Sequence, residues 1–115
     1  MMDMENKFRT NKRIRKVFRE LACKAYEKEL NRHLTELAEK FDDWRSNKID
    51  NSQMSMLIHK YYRGPSKEMY SIYNSLDADV LVIRAVANGF ITEDEIPDEL
   101  LEYIKERVEV FKELR

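Results

Sequence analysis

One cysteine, two glycines and two prolines are all that 115 residues contain of the types that staple, turn or break a chain. A lone Cys23 excludes an internal disulfide framework and any cysteine-based zinc site, and it fits a reducing compartment. So little glycine and proline gives no basis for a turn-rich β architecture. Gly64 and Gly89 stand far apart, so there is no glycine-rich phosphate loop. Long apolar runs are missing too. The longest aliphatic run, Val80-Leu81-Val82-Ile83, falls far short of the about 20 residues that cross a bilayer, so no transmembrane segment is expected. The opening Met1-Met2-Asp3-Met4-Glu5-Asn6 lacks a basic stretch followed by an apolar one, which argues against a signal peptide. A cytoplasmic location is the expectation, and no cofactor is.

What is present is helical in character. Apolar residues make up 43% and charged residues 37% of the chain, a mixture suited to helices with one buried and one solvated face. The chain is predicted to be all-α, a bundle of about five helices with a long N-terminal helix. It has the length of a single helical domain, residues 1–115, in which residues 1–9 are expected to be disordered.

Boundary signals are specific. Nothing interrupts a helix from about Thr10 to Arg45, and Ser46-Asn47-Lys48 is a polar break after it. Asp50 and Gln53 have capping-box spacing, with Ile49 and Met54 at the staple positions of a second helix. Gly64-Pro65-Ser66 is expected to end or sharply redirect that helix, because Pro65 has no N–H to donate. Met69, Ile72, Tyr73 and Leu76 then recur at helical spacing. Val80 to Ile83 look locally like a strand. Asp77 and Asp79 before them and Asn88-Gly89 after them are helix ends, so a helix buried on most sides is predicted. Thr92 and Glu95 form a second capping box, with Ile91 and Ile96 as staple, and Pro97 is placed to open the last helix. Leu100, Leu101, Ile104, Val108 and Phe111 make the apolar stripe of that helix.

The long first helix changes faces. At about 100° per residue, Val17, Phe18, Leu21 and Ala25 all fall within about 60° of Ile14. Leu30, Leu34, Leu37, Phe41 and Trp44 fall roughly 120–200° away, and Lys28, Arg32, Glu36, Glu39 and Asp43 take over the original face. A continuous helix of this kind needs apolar cover on different sides at its two ends. Three arrangements supply it: a break near Tyr26–Leu30, other helices against both sides, or a partner on the first half.

Charge adds a second feature. The net charge of −1 predicts no global attraction to nucleic acid. Yet residues 1–30 hold nine Lys/Arg against five Asp/Glu, and residues 91–115 hold four against nine. The basic start has its natural counterpart in the acidic end.

Catalytic and metal signatures are weak. Glu29, His33 and Glu36 share a helix face, but a di-iron bundle uses Glu-x-x-His pairs. Leu30 and Met56 occupy the positions three before His33 and His59, so no metal site is expected. The Asp42–Asp50 segment has the look of a calcium loop, but Trp44 or Arg45 falls on the third ligand position, so the spacing fails. Ser52 and His59 have no strand-to-helix elbow around them.

The leading expectation is therefore a non-catalytic helical oligomerisation or protein-interaction module. Its partner is a second copy, forming a homodimer, or another protein. The partner-binding residues are Ile14, Val17, Phe18, Leu21 and Ala25, within an arm over residues 10–25. The alternative is a nucleic-acid-binding protein using Arg9, Lys12, Arg13, Lys16 and Arg19 as a phosphate-tracking stripe. An enzyme, or a bundle that binds a small ligand near Tyr61, Tyr62, Tyr70 and Tyr73, is the third class, and no catalytic residue suggests itself.

Overall fold

The computed structural model describes residues 11–114 and is helical throughout, with no strand among those residues. We number the helices α1 (Lys12–Arg45), α2 (Asn51–Tyr61), α3 (Lys67–Ser75), α4 (Ala78–Ala87) and α5 (Asp98–Glu113). The disorder expected for residues 1–9, and Arg9 and Thr10 with it, lies outside the described residues. The single helical domain expected from the sequence is divided by its packing into two compact units. One comprises residues 11–25 with 76–114, the other residues 26–75. Of the arrangements open to α1, the break near Tyr26–Leu30 is absent, because the helix runs without interruption.

In the first unit, α1 begins where the Asn11 side chain accepts the Ile14 N–H at 3.2 Å. Ile14, Phe18, Leu21 and Ala25 pack into a core with Leu81, Val82 and Ala85 of α4 and Leu100, Tyr103 and Ile104 of α5, all buried. The Val80–Ile83 run is helical, as its flanks predict. Its end is a complete Schellman motif: Gly89, at φ 83°, donates to Val86 O at 3.2 Å, and Phe90 donates to Ala85 O at 2.9 Å. The Thr92–Glu95 capping box forms, but it closes a short 3₁₀ turn, Glu93–Glu95. Pro97 sits one residue before α5, at the N-cap, and Ile91 and Ile96 on either side of the turn are buried.

The second unit is a helical hairpin, with the later half of α1 antiparallel to α2 and α3. Its turn is another Schellman motif. Asn47 adopts φ 63°, Asn47 N–H reaches Trp44 O at 3.1 Å, and Lys48 N–H reaches Asp43 O at 2.8 Å. Next comes the predicted capping box: Gln53 N–H to Asp50 Oδ1 and Asp50 N–H to Gln53 Oε1, both 2.8 Å. Asp50→Ala removes one half of this box and is expected to lower stability by about 1 kcal/mol. Denaturant titration of the exchange of hairpin amides checks this, and unchanged protection in α2 would show the cap to be idle.

Gly64-Pro65-Ser66 neither ends nor turns the chain, which corrects the sequence expectation. Residues Tyr62–Ser66 form a π-turn, and Tyr62 and Lys67 at its two ends keep right-handed helical angles. Bonding from i to i+5 steps past the donor that Pro65 lacks, so α2 passes into α3 as one helical segment. Among the described residues the five α-helices thus make four separate α-helical segments. Leu76, grouped with α3 by periodicity, lies beyond its end and is exposed.

Candidate functional surface

The five residues expected to bind a partner lie together on α1, but the same chain covers them. Ile14 and Phe18 are each 3% exposed and Ala25 is fully buried. Leu21 and Ala22 are buried beside them, and Val17 is half-buried. The Phe18 ring lies 6.2 Å from that of Tyr103, tilted at 56°. The cover that periodicity assigned to a second copy comes from α4 and α5. Spacing on one helix reports that a face needs cover and is silent on the source.

Among the basic residues, Lys12, Arg13, Lys16 and Arg19 are exposed. Arg13 is engaged by Glu99 of α5 at 2.8 Å, Lys16 stands 4.0 Å from Glu20, and Lys24 is paired with Glu95. Part of the basic start therefore meets the acidic end within the first unit.

The residues considered for chemistry separate. Glu29 is buried, and its Oε1 accepts the Tyr73 hydroxyl at 2.9 Å. The Tyr73 ring is edge-on to Tyr26, with centroids 5.1 Å apart. Glu36 is exposed and lies 3.7 Å from Arg32, so Glu29, His33 and Glu36 do not converge. No group of three metal-ligating side chains gathers anywhere among the described residues. Tyr62 and Tyr70 point to solvent rather than toward Tyr73. Every buried side-chain polar atom among the described residues has a hydrogen-bond partner, so none of them marks an unfilled ligand position.

One side of the hairpin, which includes Leu30, Leu34 and Phe41 of the second apolar face of α1, was not among the expected partner-binding surfaces. Across the hairpin only Met54 and Met69 are buried apolar residues, while Leu34, Trp44, Met56, Ile58, Tyr62 and Tyr70 are exposed, Tyr70 to 73%. Met56, roughly 200° from Met54, lies on the opposite flank of α2. Two contacts fix the antiparallel pairing: Trp44 Nε1 donates to Asn51 Oδ1 at 2.8 Å near the turn, and Tyr73 reaches Glu29 toward the other end. Around α1, Tyr26, Glu29, His33 and Leu37 are the residues turned toward α2 and α3. Leu30, Leu34, Ala38 and Phe41 follow clockwise, by roughly 60–140° from His33. Around α2, Met54, Leu57 and Tyr61 turn inward, and Ile58 and Tyr62 follow clockwise by roughly 40–80° from Met54. Since the two helices run in opposite directions, their clockwise flanks open on the same side of the hairpin. That side is apolar. The other flank of α1 carries Lys28, Arg32 and Glu36, all exposed. A shallow, open depression on α1 is lined by Glu27, Leu30, Asn31 and Leu34, and by Lys28 from the edge of the charged flank.

The signal for this side was in the sequence, as the stripe Glu27, Leu30, Leu34, Ala38, Phe41 and Arg45 at three- and four-residue steps. Recognising it required knowing which part of α1 faces its neighbour. Among the described residues no helix is long and apolar enough to cross a membrane, so lipid does not explain the exposure through a spanning helix. No protein-family model matches the chain, and neither a curated protein nor a solved structure shows a significant similarity to it.

Proposed function

We propose that this chain is a non-catalytic helical module that works by self-association through the open apolar side of the hairpin formed by residues 26–75. The supporting observation is the one-sided exposure of Leu34, Ile58, Tyr62 and Tyr70 on two antiparallel helices. A two-helix layer has an inner face and needs a second layer to cover it, and pairs of such layers make four-helix bundles. Scattered exposed apolar residues need no explanation, but a contiguous stripe on one side marks an interaction surface. The proposal keeps the function expected from the sequence and moves its surface from Ile14, Val17, Phe18, Leu21 and Ala25 to the hairpin.

Leu34→Glu tests it. Leu34 is 46% exposed, so the substitution is expected to change the stability of the single chain by no more than about 0.5 kcal/mol. Light scattering should give a mass above one chain for the parent protein and a single-chain mass for Leu34→Glu, with helicity by circular dichroism retained. A single-chain mass for the parent at high micromolar concentration overturns the proposal, as does an assembly that Leu34→Glu leaves intact.

A further inference from the structure

The open side carries its own complement in reverse order. Along the stripe on α1, an acidic residue, Glu27, stands at one end and a basic residue, Arg45, at the other, both exposed. Between them the side chains run Leu30, Leu34, Ala38, Phe41. Lay a second copy of the stripe on the first, running the opposite way, so that Glu27 of each copy meets Arg45 of the other. Leu34 of each copy then meets Ala38 of the other, and Leu30 comes beside Phe41. A large side chain faces a small one on both sides of the centre, the condition for two helices to approach closely without a void or a clash. The parallel alternative sets Glu27 against Glu27, Arg45 against Arg45 and Ala38 against Ala38, which combines repulsion with a gap.

The α2–α3 stripe has the same property. The contacts of Trp44 with Asn51 and of Tyr73 with Glu29 bring Tyr62 roughly level with the middle of the α1 stripe. Reversed about Tyr62, Ile58 meets Ser66, and Tyr70 falls level with Met54, beside Ser55. At Ile58 and Ser66 bulk again falls against a small residue. Two stripes with matching centres are what an isologous interface requires, since there residue i meets j and j meets i.

Resting on the self-association reading above, we infer that the occupant of the open side is a second copy of this chain, packed antiparallel about a two-fold axis. In this arrangement the Glu27–Arg45 pairs, formed twice, set the orientation. The apolar stripes supply the attraction, and the charges at the ends reject the parallel pairing.

Charge reversal tests the arrangement in the full chain at low salt. Glu27→Arg alone sets two guanidinium groups against each other at both ends of the paired stripes, and Arg45→Glu alone sets two carboxylates there. Each is expected to weaken the dimer about tenfold, since two pairs change sign at once. Carrying both changes in one chain restores the parent affinity. Mixing the two single variants gives a heterodimer tighter than either variant with itself, because the two end contacts become attractive again, one in each orientation of charge. Circular dichroism confirms that each variant keeps its helices. Single variants that associate as tightly as the parent, or a double variant as weak as the singles, overturn the antiparallel arrangement. If Leu34→Glu still dissolves the assembly in that case, self-association through this side stands and only its orientation falls. A parent chain that stays single removes both.

Discussion

Phe18→Glu is expected to unfold the unit built from residues 11–25 and 76–114 rather than to dissociate an assembly. Phe18 is 3% exposed and lies against Tyr103 in the middle of that unit's core. Deleting a buried phenylalanine ring costs about 3–5 kcal/mol, and a carboxylate in its place adds the cost of burying a charge with no partner. Domains of this size are stable by about 5–15 kcal/mol in all, so the substitution removes most or all of the margin. Circular dichroism should record a loss of helix at room temperature, or a melting transition shifted far downward. A variant that melts like the parent but scatters as a smaller particle would return the interface to the Ile14–Ala25 face. The contrast with Leu34→Glu is the sharpest available. Both replace a large apolar residue of α1 by glutamate, one to break the fold and the other to break only the association.

Tyr103 is expected to have the next largest effect, and two substitutions separate its parts. The residue is 2% exposed and packs beside Phe18, the Arg107 guanidinium 4.3 Å above its ring, and Asp79. Its hydroxyl donates to Asp79 Oδ2 at 3.3 Å, while Asp79 Oδ1 accepts the Val80 N–H at 2.9 Å in the first turn of α4. Tyr103→Ala takes away the ring that joins α1 to α5 and is expected to cost about 3–5 kcal/mol. Tyr103→Phe keeps the ring and removes one long hydrogen bond to a buried carboxylate, for about 0.5–1.5 kcal/mol. Denaturant titration of the two variants measures the difference. Equal losses would mean that the hydroxyl, and so the tie between α4 and α5, carries the stability instead of the ring.

The proposed position of self-association rests on the unequal cores of the two units. In α4, Leu81, Val82, Ile83, Ala85 and Ala87 are buried and Arg84 and Val86 half-buried, and Ile104 of α5 is fully buried. The hairpin buries two methionines and hydrogen-bonds Glu29 to Tyr73, and it leaves aromatic and aliphatic groups in water. Burial of a large apolar side chain contributes about 1.5–3 kcal/mol. The proposed second layer over Leu34, Ile58 and Tyr62 would stabilise the hairpin where its own chain does not.

Several structural features were legible before any coordinates. The Asp50–Gln53 and Thr92–Glu95 boxes, the polar break after Arg45 and the helical state of Val80–Ile83 depend on groups within about six residues of each other, so local spacing specifies them. The amphipathic stripe of α5 was readable for the same reason. Pro65 was misjudged because its rule concerns α-helical bonding, and a π-turn changes the acceptor instead of ending the helix. Glu29 was grouped with His33 and Glu36 by spacing, whereas its partner is Tyr73, distant in sequence and invisible to any local pattern.

The order of residues alone determined that the chain is helical, where most of its helices start and stop apart from the passage through Pro65, and that α1 needs cover on two different sides. Which atoms provide that cover was decided only by the tertiary structure. It set α4 and α5 over Ile14, Phe18 and Ala25, and left the clockwise flank of the hairpin open. The reason is that hydrophobic burial has no direction along the chain: an apolar face is satisfied equally by near, distant or foreign side chains, and only the packed arrangement distinguishes them.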